Sequence, residues 1–347
     1  MAKRPVAPSP ASPATRVATL QMVAQDAGVS PSTVSRFLNG TAAISDDKRA
    51  AIDAAIRKLK FVPNPVASGL AGGRSRCIGV VTQALGSPFY GQGLMGIEDV
   101  LNDAGYAPLC VSGHWREADE QRCIASLLAR RVDGIIILTA CLSDEALLEH
   151  ARKLPIVVTG RDLHGARLRS LTFDNHEGTR LATEHLLALG HRNIAFIKGT
   201  SSHPDAVERL RGYRSALKAH GIAYNAALTA QGHFIEEGGE RAVEHWLDNG
   251  QTFSAILAAN DQMACGAALA LHRRGIRVPE DVSLIGFDDL PGSRYMLPPL
   301  TSVRHSIFEI GAIAARAIIA MLEKGAPQLQ APAPLLVIRD STGAPPS

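Results

Sequence analysis

Between Thr19 and Gly40 the apolar positions repeat with helical spacing. Leu20, Val23, Ala24 and Ala27 mark one short helix, Gly28 interrupts it, and Ser30-Pro31 restarts it with a capping residue followed by proline at the first helical position. In this second helix Val34, Phe37 and Leu38 fall on an inward face, and Pro31, Ser32, Ser35 and Arg36 on an outward one. A third amphipathic stretch has Ile44, Ile52, Ile56 and Leu59 as its stripe. Three short helices around one small core form the helix-turn-helix plan, in which the start of the second helix meets base edges in the major groove. An ordinary surface hairpin has the same spacing, so the pattern alone leaves both readings open.

From Cys77 onward the pattern changes. Short apolar runs ("CIGVV", "PLCVS", "GIIIL", "PIVVT", then "IAFIK", "SAILAA", "VSLIGF") alternate with helix-length amphipathic stretches. This predicts an α/β core of parallel sheets with helices on both faces. One series precedes "LTFDNHEG" and one follows it, so two doubly wound subdomains are expected, with a ligand cleft near the carboxyl ends of their strands. "GQGLMG", Gly91 to Gly96, spells the letters of a dinucleotide-binding fingerprint. However, "ALGSPFY" separates it from the preceding run, which places Gly93 and Gly96 inside a helix expected over 88–105. "PLCVSGHW" offers Ser112 and His114 where that fingerprint wants an acid. These glycines are therefore read as small residues on a helix, at a packing surface, and an NAD-dependent enzyme becomes a remote alternative.

Charge locates a different chemistry. Residues 1–76 hold eleven of the 36 Lys and Arg but four of the 33 Asp and Glu, so the basic character is confined to the helical end, as nucleic-acid contact requires. With 46% hydrophobic and 20% charged residues the chain is of soluble globular type. Five scattered cysteines suggest small, mostly buried thiols, with no disulfide and no zinc. The start, "MAKRPVAPSPASPATR", lacks an apolar signal core, and a cytoplasmic location is expected. There is no G-x-S-x-G, H-E-x-x-H or phosphate loop in the chain. His176, Glu177 and His185 suit a solvated helix better than a metal. Asp288 and Asp289, adjacent at a strand end, should point in different directions, one of them into the cleft.

The stretch "VATLQMVAQDAGVSPSTVSRFLNG", continued by "KLKFVPNPVASGLAGGRSRCIGVV", closely resembles the DNA-binding head and hinge of the lactose and galactose repressor family. "SPFYGQGLMGIE", "RRVDGIII", "FDNHEGTRLATEHLLALGHRNIAFI", "ERLRGYRSAL", "AILAANDQMACGAALALHRRGIRVPEDVSLIGFDDL" and "PPLTSVRH" resemble its later segments, in the family's order. The resemblance implies a helix-turn-helix head over 17–62 after a disordered tail of 1–16, and a hinge helix and linker over 63–76. It further implies a periplasmic-binding-protein-like core over 77–340 with crossovers near 174, 303 and 328, then a disordered tail over 341–347.

The function so implied is transcriptional regulation, as a repressor released from a palindromic operator by a small effector such as a sugar. A global carbon regulator controlled by a phosphoprotein partner is the alternative. DNA contact falls to Thr19, Pro31, Ser32, Thr33, Ser35, Arg36 and Asn39 in the head. In the hinge it falls to Asn64, Ala67 and Leu70, with Leu70 wedging into the minor groove. Effector contact falls to Phe89, Tyr90, Arg209, Phe234, Asn260 and Asp288. Arg209 has the alternative of an internal ion pair with Glu208 or Asp205, and Asn260 that of capping the next helix. No cofactor or metal is implied. Met22 stands where the family carries an acid, which removes a capping-box partner, and Pro31 cannot donate a hydrogen bond to a base. The C-terminus has no leucine heptads to build a tetramer, so a homodimer is expected.

Overall fold

The computed structural model describes residues 18–38, 44–62 and 74–346. Asn39, Asn64, Ala67 and Leu70 lie outside the described residues. The chain divides between Ser75 and Arg76 into two compact units.

The first unit contains α1 (Leu20–Asp26), α2 (Pro31–Leu38) and α3 (Asp46–Leu59). Thr19 caps α1 by accepting from the Met22 N–H at 3.3 Å, and Ser30 Oγ accepts from the Thr33 N–H at 3.2 Å at the start of α2. Gly28 turns the chain between them at φ +66°, a conformation that disfavours any Cβ. Val23, Ala24, Val34, Ile52 and Ala55 form the core, with Phe61 closing it from beyond α3. One expectation shifts: Ile44 precedes the Ser45 cap of α3, so the buried stripe starts at Ile52.

The second unit is built on two sheets. β1 (Cys77–Thr82), β2 (Ala107–Ser112), β3 (Gly134–Ile137), β4 (Ile156–Thr159) and β5 (Leu168–Leu171) lie in the order β2-β1-β3-β4-β5, all parallel. The second sheet contains β6 (Ile194–Lys198), β7 (Thr229–Gln231), β8 (Ala255–Ala258), β9 (Ser283–Asp288), β10 (Thr301–Arg304) and β11 (Leu335–Val337). Its order is β11-β10-β9-β8-β6-β7, and it is parallel except for the antiparallel edge strand β11. The chain leaves the first sheet after Leu171 and returns after Arg304. The returning helix packs Ala314, Ala315 and Ile318 against Ile78, Val80, Ile97 and Leu101 of the first half.

The helices of this unit are α4 (Pro88–Asp103), α5 (Glu117–Ala129), α6 (Asp144–Lys153), α7 (Asn175–Ala188), α8 (Pro204–Ala219), α9 (Glu236–Asp248), α10 (Asp261–Arg273) and α11 (Ile307–Leu322). Gly93 and Gly96 lie inside α4, where they let it approach α11 closely. A Cβ on Gly96 would fall 2.0 Å from the Phe308 carbonyl oxygen, and one on Gly311 would fall 2.2 Å from that of Gly93. The "GQGLMG" glycines thus serve helix packing.

Two expectations fail here. Residues 341–346 are no loose tail: Ser341 is 1% exposed, donates to the Leu284 carbonyl at 2.6 Å and accepts from the Thr301 N–H at 2.8 Å. Gly343 bonds to Ser283 and His191. The serine that composition counted toward disorder is here a buried hydroxyl bonded on both sides to the backbone of the sheet. Nor is any cysteine buried. Cys77, Cys123 and Cys141 are half-buried, while Cys110 on the edge strand β2 and Cys265 on α10 are exposed, because one face of each apolar element looks outward.

Candidate functional site

In the first unit α2 turns Val34 inward and leaves Pro31, Ser32 and Arg36 exposed, with Thr33 and Ser35 half-buried. The Ser30 hydroxyl lies 2.8 Å from that of Ser32 and 2.8 Å from that of Thr33, a small cluster that stiffens the helix start. Arg36 Nε donates back to the Ser32 carbonyl at 3.2 Å, and the rest of its fork is solvent-facing. Thr19 is exposed one helix away. The outward face therefore combines hydroxyls, one guanidinium and a proline, on a helix held by a small core.

In the second unit the carboxyl ends of both sheets open onto one cavity of about 280 Å³, lined by all six residues predicted for an effector. Phe89 and Tyr90 come from the first turn of α4, and Asp288 from the last residue of β9. Arg209 projects from α8 and is 3% exposed. Its Nε donates to Asn175 Oδ1 at 2.8 Å, one terminal nitrogen donates to the Ala259 carbonyl, and its guanidinium lies 3.7 Å from the centroid of the Phe287 ring. The other terminal nitrogen stands 3.5 Å from Asp288 Oδ1 and 3.4 Å from His305 Nδ1. The ion pair of Arg209 is thus with Asp288; Glu208 pairs instead with Arg211.

Asp288 sits at φ +110° and points into the cleft, while Asp289 turns away to accept from Arg304 and Arg339. Asp288 Oδ1 is buried and makes no hydrogen bond. Burial pushes its carboxyl up to about 7, and Arg209 pulls the other way. His305, stacked on Phe173 at 4.0 Å, is driven down to about 3 by burial and by Arg209, so it is neutral. Tyr90 is buried and its hydroxyl is raised well above the ordinary phenol range by desolvation.

Asn260 does what the plainer reading expected. Its Oδ1 accepts from the Met263 N–H at 2.9 Å, capping α10, and its Nδ2 donates to the Phe234 carbonyl at 3.1 Å, so both polar ends are already used. Phe234 follows His233 in two successive left-handed residues, at φ +58° and +64°. Its ring covers Gly199, where a Cβ would fall 2.0 Å from the ring.

Sequence reasoning missed Trp115, His203, Asp205 and Thr139, which also line the cavity. Trp115, at φ +58°, reaches from the first half to His203 in the second, with ring centroids 4.6 Å apart. A buried network holds it: its N–H donates to Gln83 Oε1 at 2.9 Å, and Gln83 Nε2 donates to the Thr139 carbonyl and to Glu120. The available signal was position. Each lies between a strand's carboxyl end and the next helix or in that helix's first turn, where α/β folds gather their ligands.

Among the described residues no group of acids, histidines and cysteines is placed to hold a metal, and no helix is long and apolar enough to cross a membrane. Residues 19–64 match the model for bacterial regulatory proteins of the lacI family, and residues 183–342 match a periplasmic binding protein-like domain. The chain is 35% identical over 332 residues to the HTH-type transcriptional regulator GalR of Escherichia coli (strain K12), covering 95% of this chain and 97% of that one. The lac repressor dimer bound to operator and the anti-inducer ONPF matches with a TM-score of 0.85 at 32% identity, over 95% of this chain and 100% of that chain. A complex of the transcriptional regulator CelR with cellobiose matches at TM-score 0.69 and 32% identity, over 93% and 99%. With an exposed recognition helix in one unit and a buried polar cleft in the other, and with identity running through both, this chain belongs to the lacI family of bacterial regulatory proteins and is a DNA-binding transcriptional regulator, not an enzyme.

Proposed function

We propose that the chain acts in the cytoplasm as a homodimeric repressor whose affinity for a palindromic operator is lowered when a sugar or sugar derivative occupies the cleft. The observation that carries this reading is convergence. Phe89, Tyr90, Arg209, Phe234, Asn260 and Asp288, widely spaced in sequence, surround one cavity between two sheets. Aromatic rings cover the C–H face of a sugar, and Asp288 Oδ1, buried with no hydrogen-bond donor, is an acceptor for a ligand hydroxyl. Asn260 and Arg209 act by holding the walls and Asp288 in place. On the DNA side, Ser32, Ser35 and Arg36 read base edges, Pro31 makes apolar contact, and Thr19 and Thr33 lie toward the backbone.

Operator duplexes selected from a randomised palindrome, followed by fluorescence anisotropy, test the reading. One sugar should release the protein from its selected duplex, and Asp288→Ala should retain DNA binding while losing that response. Asp288→Ala responding to the sugar as wild type does would reject the cleft as the effector site.

A further inference from the structure

We infer that the cleft selects neutral, hydroxyl-rich sugars against phosphorylated and acidic ones, and that Asp205 is the residue that enforces the choice. This rests on the effector reading above and gives it a ligand class.

The first ground is charge. Asp205 and Asp288 both line the cavity, and Arg209 is the one Lys or Arg that does so among the described residues. Arg209 is already committed to Asn175, the Ala259 carbonyl, the Phe287 ring and Asp288. Asp205 therefore stands as the excess charge. Its side chain is 14% exposed, and its ion-pair contact is His203 Nδ1 at 3.9 Å, on a histidine whose pKa burial lowers. Arg161, on the neighbouring cavity, is taken by Asp144 at 2.7 Å and by the Ala140 carbonyl. His233 stands exposed at the rim. Arg161 keeps a buried Nε without a partner, but it lines that neighbouring cavity and not this one, so an incoming phosphate or carboxylate finds here no guanidinium beyond the committed Arg209 and meets a partly desolvated carboxylate, where like charges repel far more than in water.

The second ground is hydrogen-bonding sense. His203 caps α8 by accepting from the Asp205 N–H at Nδ1, 3.2 Å away, which leaves the ring proton on Nε2. That Nε2 is buried with no partner, on a side chain 6% exposed that lines the cavity. Asp288 Oδ1 is the matching buried acceptor without a donor. A ligand that satisfies both must accept from His203 and donate to Asp288 and Asp205. A sugar hydroxyl does both at once, whereas an ionised phosphate or uronate oxygen only accepts. The cavity's roughly 280 Å³ is at the small end for a ligand site and suits one or two sugar rings.

The test uses the full chain at pH 8, above the value of about 7 to which burial raises Asp288. Galactose, glucose and cellobiose are titrated by calorimetry beside galactose 1-phosphate, glucose 6-phosphate and glucuronate, with Trp115 fluorescence as a second readout. A neutral sugar should bind, its phosphorylated or acidic counterpart should bind at least about tenfold more weakly, and Asp205→Asn should narrow that gap severalfold. Asp205→Ser replaces Asp205→Asn if the latter does not fold. An anionic sugar bound more tightly than its neutral parent, or a gap unchanged in the folded Asp205 variant, overturns the selection while leaving the effector reading intact. Silence from all six compounds overturns both.

Discussion

Arg36 and Arg209 carry the same guanidinium in opposite surroundings. Arg36 stands exposed on α2, with one bond to its own helix at Ser32. Arg209 is 3% exposed and is committed to an amide, a carbonyl, a ring and a carboxylate. The first keeps its donors for a partner that arrives from outside. The second has given most of its donors to the protein; it fixes Asp288 and adds to the burial that keeps His305 neutral. A polar residue at a predicted site is thus free for a contact in the head and mainly a piece of frame in the cleft. Substitutions should separate accordingly.

The largest effect is expected from Arg209→Ala. It strips Asp288, Asn175 Oδ1 and the Ala259 carbonyl of their buried partner and should cost roughly 3–5 kcal/mol of stability, with loss of the effector response. Urea denaturation measures the first; a loss below about 1 kcal/mol would erase the contrast between the two arginines.

Acid should distinguish the units next. All 12 histidines lie beyond residue 113, so the head has none. His305 titrates at about 3 in the folded chain against an ordinary 6.5, so below pH 6.5 the unfolded chain takes up a proton that the folded one refuses. The stability it contributes is complete above pH 6.5 and is lost as the pH falls toward 3. Asp261 and Asp288, both pushed up to about 7 mainly by burial, work in the opposite sense, so the test is a difference between variants. From pH 7 to pH 4, His305→Gln should gain roughly 2–4 kcal/mol of core stability relative to wild type. The gap between the two proteins staying constant with pH would contradict the assignment.

Gly96→Ala comes third. The backbone oxygen of Phe308 occupies the space a methyl group would need, so α4 and α11 must separate at a cost of roughly 1–3 kcal/mol. The core's calorimetric transition should fall and the head's should not.

The smallest effect on folding belongs to Arg36→Ala, within about 0.5 kcal/mol. Its effect should appear in operator preference, at about 1–3 kcal/mol at a single base pair if Arg36 reads a guanine. Binding to randomised operators measures it, and an unaltered preference would remove α2 from the recognition surface.

Local rules made much of this molecule legible. Ser30-Pro31 and Thr19 marked helix starts because capping is decided by neighbours in sequence, and the apolar runs from "CIGVV" to "VSLIGF" became strands because a strand buried on both faces needs such a run. The glycines of "GQGLMG" were readable as packing residues because their distance from the preceding strand excluded a phosphate turn. What remained hidden depends on parts of the chain that meet only after folding. Trp115, His203 and Asp205 sit in turns or at a helix start, where no periodicity marks them. That Arg209 faces Asp288 instead of its sequence neighbours Asp205 and Glu208 follows from bringing the end of β9 beside α8. The bonds of the Ser341 hydroxyl to the backbone of Leu284 and Thr301 likewise join distant parts of the chain, which composition does not record.

If the cleft and the operator are coupled, the coupling is reciprocal. The direct measurement is the affinity of the bound sugar determined twice by calorimetry, on free protein and on protein saturated with its selected operator duplex. The sugar should bind more weakly to the operator complex, by the same factor by which it weakens operator binding. Equal sugar affinity in the two states would contradict the coupling.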